Sequence, residues 1–211
     1  MAKVEILQIT PNAEKHIELS ARHCYASEDK ITENSHIGFL RGCIKRGHLS
    51  ILSHAHASFR ITGMSRACSH QMVRSVFIRY LQRSQRYNEE WKTLYVVPET
   101  IASHSEALKE FLRGQTIAQE VYYNLLQFGI PKEDARYSLT EATHTSMCIA
   151  STLQGFYDNL ILRLNKAAQW EIKRIYQQIY QMLNTKCPNI FNKELLLMQP
   201  NRQLEFEQNN G

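Results

Sequence analysis

The sequence predicts an α+β fold: a single domain in which a mixed or antiparallel sheet is accompanied by several helices. Three observations predict it. Short stretches such as Val4–Ile9 alternate apolar and polar residues, the period-two signature of a strand. Longer stretches such as Leu108–Leu126 repeat apolar residues at helical spacing, the mark of one helix face. No Pro/Gly linker, internal repeat or low-complexity segment interrupts the chain. Residues 1–200 therefore read as one domain, and the polar residues 201–211 (NRQLEFEQNNG) as a frayed tail.

The elements follow in order. Val4 to Ile9 reads as a short strand. Pro11 stands where a helix can begin, and 13–24 has helical spacing. Thr32 and Ser35 open a second helix, whose Ile37, Phe39, Leu40 and Ile44 precede a stop at Gly47. His54 to Ile61 alternates and reads as a strand that Gly63 breaks. Ser65 is placed to cap a helix over 66–75. Val76 to Tyr87 starts β-branched and aromatic and ends polar, so a strand followed by an extended loop is expected. A long helix is expected over 105–128, with Leu108, Phe111, Leu112, Ile117, Val121, Leu125 and Leu126 as its apolar stripe. Gly129 and Pro131 end it. A helical turn over 132–137, a strand over 143–152, and helices over 156–164 and 167–183 complete the reading.

Composition narrows the function classes. Hydrophobic residues make up 43% and charged residues 21% of the 211, ordinary for a soluble globular protein. No apolar run reaches the roughly 18–20 residues needed to cross a bilayer. The N-terminal MAKVEILQIT lacks the basic-then-apolar layout of a signal peptide, so the cytoplasm is the expected location. Cys24, Cys43, Cys68, Cys148 and Cys187 are odd in number, widely spaced and free of any CxxC. That excludes a disulfide framework or zinc ribbon as the working reading and leaves reduced, mostly buried thiols.

The net charge of +5 suits an anionic ligand or nucleic acid. Its distribution says more. From Arg60 to Arg86 there are six arginines and no Asp or Glu.

Four segments carry candidate chemistry. In S-R-A-C-S-H-Q-M-V-R (65–74), helical spacing puts Arg66 and His70 on one face, and Gln71 and Arg74 on a neighbouring one. Such donors suit a phosphate or a planar base; an exposed amphipathic helix is the alternative. In Q-R-S-Q-R-Y (82–87), a serine hydroxyl lies among amides and guanidiniums. It can cradle a phosphate, although without glycine it is no P-loop; a solvated loop is the alternative. In E-D-A-R-Y (133–137), Arg136 can point into a cleft or simply lie on the surface. In N-L-I-L-R-L-N-K-A-A-Q-W-E-I (159–172), Arg163 sits in an apolar run. A buried guanidinium there needs an anionic or polar partner, unless it snorkels to solvent. His54 and His56 would share a strand face, but no carboxylate or cysteine lies nearby in sequence, and no metal is expected.

Taken in order and at compatible spacing, these segments resemble the flavin-dependent thymidylate synthases, over roughly residues 40–180. The resemblance implies that family's fold, and a homotetramer whose active sites are shared between subunits. It implies that flavin adenine dinucleotide (FAD) is reduced by NADPH, and that a one-carbon unit passes from methylenetetrahydrofolate to C5 of dUMP to give dTMP. No enzyme cysteine attacks the base. Gln71, Arg74, Gln82, Ser84, Gln85, Arg86 and Arg136 fall on nucleotide-binding positions. Arg163 falls on the arginine that holds and polarises the uracil and is the catalytic candidate. His48 falls near a histidine placed by flavin and folate, and Asp158 and Asn159 lie where the family approaches the flavin ring. Arg74, Ser75 and Val76 fall on the signature that helps hold the flavin.

That signature has departed. The family has Arg-His-Arg, seven residues, then Ser; here Arg74-Ser75-Val76 precede Ser84, and Arg79 replaces a mid-loop serine. Losing one charge-assisted hydrogen bond costs about 1.5–3 kcal/mol, roughly ten- to hundred-fold in affinity. On a strand, Val76 and Arg79 would face opposite ways, so Arg79 is a poor substitute. Two alternatives remain: a relative that modifies another uridine nucleotide such as UMP at C5, and a non-catalytic nucleotide- or RNA-binding relative. No membrane partner is expected.

Overall fold

The computed structural model describes residues 2–90, 94–198, 204 and 206. In chain order the elements are β1 (Lys3–Ile9), α1 (Ala13–His23), α2 (Ser35–Lys45), β2 (His56–Ser65), α3 (Arg66–Met72), β3 (Arg79–Gln82), α4 (Glu99–Ala102) and α5 (Ser105–Gln127). Then come α6 (Lys132–Ala135), β4 (His144–Thr152), α7 (Leu153–Arg163), α8 (Trp170–Lys186) and α9 (Lys193–Leu197). Turns of 3₁₀ helix lie at Glu28–Lys30, Leu49–His54 and Arg136–Ser138.

The fold is α+β. Its four strands hydrogen-bond in the order β1-β2-β4-β3. β1 and β2 run antiparallel: Thr10 N–H donates to His56 O at 3.0 Å, and Arg60 pairs with Glu5. β2 and β4 do the same, with Arg66 N–H bonded to Thr143 O and Leu153 N–H to Ala55 O.

The chain forms two compact units: residues 1–3, 61–72 and 81–147 make one, and 4–60, 73–80 and 148–211 the other. In the second, α1, α2, α7 and α8 bury Ile17, Leu40, Ile44, Phe156, Leu160, Ile175 and Ile179. Phe59 and Phe156 meet edge to face with ring centroids 5.1 Å apart, the favoured aromatic geometry. α7 begins with Thr152 as N-cap, its hydroxyl accepting from Gly155 N–H. In the first unit the buried residues include Ile61, Met64, Cys68, Met72, Tyr122, Ala135 and Met147.

Several expectations need correction. Gly63 does not end β2. Its φ of 71° falls inside a strand that runs on to Ser65. Burial alternates through Ala57, Phe59 and Ile61, then resumes at Met64. The glycine thus takes up one extra residue, as a bulge does.

Ser65 caps α3 as expected, accepting from Cys68 N–H at 2.9 Å, but the helix stops at Met72. The strand in 76–87 is only Arg79–Gln82. Val76 is off the strand, so its alternation with Arg79 does not apply. His54 lies in a 3₁₀ turn and only His56 in β2, so the two imidazoles do not share a strand face.

The stripe on α5 is the largest departure. None of Leu108, Phe111, Leu112, Ile117, Val121, Leu125 and Leu126 is buried; the buried α5 residues are Gln115 and Tyr122. Leu108, Phe111, Leu125 and Leu126 are half-buried on that same side, where polar loop contacts hold the helix, and Leu112, Ile117 and Val121 are exposed. Tyr122 Oη accepts from Glu90 N–H at 3.3 Å, Gln119 Nε2 donates to Glu90 O at 3.2 Å, and Thr140 Oγ1 donates to Gln115 Oε1.

Most of the 201–211 tail lies outside the described residues. The two that are described are engaged: Leu204 bridges to Asn165, and the Phe206 ring packs 4.8 Å from that of Tyr180. Cys43, Cys68 and Cys187 are buried, Cys148 is half-buried and Cys24 exposed, all of them free thiols. Among the described residues, no helix is long and apolar enough to cross a membrane.

Candidate active site

The first unit gathers one set of candidates around a carboxylate that the sequence did not single out. Arg86, exposed, is ion-paired with Glu133. Arg136, half-buried, donates from Nε to the backbone oxygen of that same Glu133 at 2.9 Å. The Ser84 hydroxyl accepts from Arg86 N–H at 3.1 Å, and Asn88 Nδ2 donates to Ser84 O at 2.7 Å. Ser84, Arg86 and Arg136 therefore form one network although two segments of chain supply them. The reason is local: Pro131 starts the turn of α6, which sets Arg136 a turn beyond Glu133.

Beside this network, Gln82 at the end of β3 is fixed by two bonds, from Nε2 to Ser69 Oγ (3.0 Å) and to Thr145 Oγ1 (3.2 Å). Gln85 is buried and Gln71 is half-buried on α3. The cation-only stretch draws its counter-charges from distant segments: Arg83 lies 3.7 Å from Glu90, and His70 3.6 Å from Glu141.

Arg66, the first residue of α3, is half-buried. Burial pushes its guanidinium below its ordinary pKa; Glu141 and Glu90 oppose this and Arg136 adds to it. It stays charged, and it makes no ion pair among the described residues. A partly desolvated cation beside Arg136 adds positive potential to this side of the unit. Its signal was its position at the head of a capped helix inside the acid-free stretch. Glu133 was also readable, three residues before Arg136.

The second unit holds the rest. Arg163, the last residue of α7, is half-buried, and its Nη2 donates to Ser75 Oγ at 3.3 Å. Ser75 is buried, and its carbonyl accepts from Tyr80 Oη at 3.2 Å. Burial raises the Tyr80 phenol pKa, while bonding to Ser75 and the charge of Arg163 pull the other way.

Asn159 is buried one turn before Arg163. Its Nδ2 donates to Gly155 O at 2.8 Å, and its Oδ1 has no hydrogen-bond partner. Asp158 is half-buried, and His48 is exposed at the head of a 3₁₀ turn. Val76 is 76% exposed. Arg74 lies past the end of α3, so it does not share a helical face with Gln71; it is exposed and makes no ion pair among the described residues.

Comparison with known proteins decides the family. The model of the thymidylate synthase complementing protein family matches residues 5–189. The chain belongs to that family. It is 32% identical over 197 residues to a flavin-dependent thymidylate synthase of Geobacter sulfurreducens, covering 90% of this chain and 85% of the relative. With the enzyme of the same name from Pyrococcus horikoshii it shares 34% over 185 residues, 83% of this chain and 76% of that one. With that of Saccharolobus solfataricus it shares 30% over 199 residues, 90% and 76%. The matched residues 5–189 include every family candidate named above, from His48 to Arg163.

Proposed function

We propose that this member of the thymidylate synthase complementing protein family is a flavin-dependent thymidylate synthase. It methylates dUMP at C5 to dTMP, with methylenetetrahydrofolate as one-carbon donor and NADPH as reductant of a bound FAD. The observation that carries the reading is that Arg86 and Arg136 both bond Glu133, one through its carboxylate and one through its backbone oxygen, with the Ser84 hydroxyl on the Arg86 backbone N–H. Two guanidiniums and a hydroxyl held together in this way suit a phosphate, which pairs with arginine through several oxygens at once. Gln71, Gln82 and Gln85 bring amides, which can pair with a pyrimidine or ribose.

Arg163 supplies the catalytic charge. C5 becomes nucleophilic when the pyrimidine takes on enolate-like character, with negative charge on a ring carbonyl oxygen. A guanidinium already fixed in place stabilises that charge without reorganising. No protein thiol is needed at C6, and the buried thiol of Cys187, pushed up to about 12 by desolvation, is no nucleophile.

The residues present fit a flavin in two respects. The buried Oδ1 of Asn159 has no partner and suits an N–H of a flavin ring, since a buried acceptor is costly unless met. Arg74, exposed and without an ion pair among the described residues, suits a pyrophosphate. His48 and Asp158 would lie by the ring and the folate, and Ser75 and Val76 would contribute backbone and shape rather than charge. When bound, the flavin supplies the hydride that completes the methyl group. Ile117 and Val121, four residues apart on one face of α5 and each more than 40% exposed, support assembly into a homotetramer with shared sites. The cytoplasm is where we place the enzyme.

The test is product formation. Purified protein with FAD, NADPH and methylenetetrahydrofolate is offered dUMP or UMP. We expect dTMP from dUMP and no methylated product from UMP. Arg163→Ala should lose about a hundred-fold or more in turnover, with dUMP affinity reduced less than about tenfold. Absence of dTMP with FAD added would overturn the reading.

A further inference from the structure

Ser75 stands where related enzymes carry the signature histidine, yet its side chain is committed elsewhere. It is 6% exposed, and its hydroxyl accepts from Arg163 Nη2 at 3.3 Å. The segment that carries Ser75 is tied down on both sides. The Tyr80 hydroxyl donates to the Ser75 carbonyl at 3.2 Å, and the Ser151 hydroxyl donates to the Phe77 carbonyl at 2.6 Å. Gly155 lets α7 come this close: a Cβ there would lie 2.2 Å from Ser151 Oγ and 3.3 Å from Phe77 O. The Ser75–Tyr80 segment is thereby pinned to β4 and the first turn of α7, while Arg163 reaches it from the last turn of the same helix.

We infer that Ser75 is a positioning residue for Arg163, its buried hydroxyl holding the guanidinium in the orientation that polarises the substrate base. In this chain the second signature position thus serves the arginine of the nucleotide half of the site. The inference rests on the role proposed above for Arg163. A long arginine side chain has several rotatable bonds and loses catalytic value when they are free. One fixed acceptor removes much of that freedom. Tyr80 acts through the same residue, its hydroxyl donating to the Ser75 carbonyl at 3.2 Å.

Ser75→Ala and Ser75→Thr are the variants, measured by two readouts. The first is independent of turnover. In protein labelled with ¹⁵N-arginine, the Arg163 side-chain signals, assigned by their loss in Arg163→Lys, should broaden or shift in Ser75→Ala and keep their wild-type positions in Ser75→Thr. The second is kinetic. In Ser75→Ala, kcat should fall about tenfold, with affinities for dUMP and FAD within about threefold of wild type; Ser75→Thr should recover most of the loss. Unchanged Arg163 signals in Ser75→Ala would overturn the inference. So would a kinetic defect that appears wholly as lost FAD affinity, or one that threonine fails to rescue. A wild-type protein that forms no dTMP overturns the proposed function instead, and leaves the resonance test to decide the role of Ser75.

Discussion

Arg86 is ion-paired with the carboxylate of Glu133, whose own backbone oxygen accepts from Arg136. A carboxylate thus occupies one of the two guanidiniums that a substrate phosphate would use. Both partners are largely solvent-exposed, and such pairs contribute little on their own. In the proposed phosphate site, the ligand would have to displace it.

Glu133→Gln should therefore tighten dUMP binding by about two- to fivefold and leave binding of deoxyuridine, which has no phosphate, unchanged. Isothermal titration of both ligands checks this. Weaker dUMP binding in the variant would mean that the carboxylate contacts the ligand instead.

The exposed α5 face gives a second prediction. Val121 is 43% exposed in the single chain, so Val121→Asp should leave the fold of one subunit intact. If the face is an assembly surface, the charge is desolvated only on association, and the oligomer should dissociate. Light scattering on the eluting peak should show a tetramer for wild type and smaller species for the variant, with unchanged circular dichroism.

His144 gives a prediction about pH. It is half-buried at the start of β4, and burial lowers its pKa from the ordinary 6.5. Between the lowered folded value and 6.5 the unfolded chain binds more protons, so stability rises with pH through that interval. The His144 contribution should be fully present above about pH 7 and should diminish as pH falls below 6.5. Urea denaturation at pH 5.0–7.5 should show this decline reduced in His144→Gln.

Much of the fold was legible because local signals and tertiary outcome agreed. The Ser65 cap, the Gly129–Pro131 stop and the apolar periods of α1, α2, α7 and α8 each point to the structure observed. Where the outcome is set by distant segments, the reading failed. On α5 the side held by Glu90 and Thr140 through Tyr122, Gln119 and Gln115 half-buries Leu108, Phe111, Leu125 and Leu126, while Leu112, Ile117 and Val121 stay exposed. Gly63 reads as a breaker locally, but sheet pairing on both sides carries the strand through it.

The candidate site divides in the same way. The ordered motifs pointed to Ser84, Arg86, Arg136 and Arg163, because arginines in such surroundings require anionic or polar partners. The partners themselves were less legible. Glu133 could be read only from its place three residues before Arg136, and Ser75 as an acceptor for Arg163 becomes visible only when residues 88 positions apart come within hydrogen-bonding distance.

The central claim is that this chain holds a flavin and a deoxyuridine nucleotide together despite its altered signature. The visible absorption spectrum of the protein, after incubation with FAD and removal of free flavin by gel filtration, tests it most directly. We expect flavin bands near stoichiometry that shift on addition of dUMP. A colourless protein, or bound flavin whose spectrum ignores dUMP, would contradict the account.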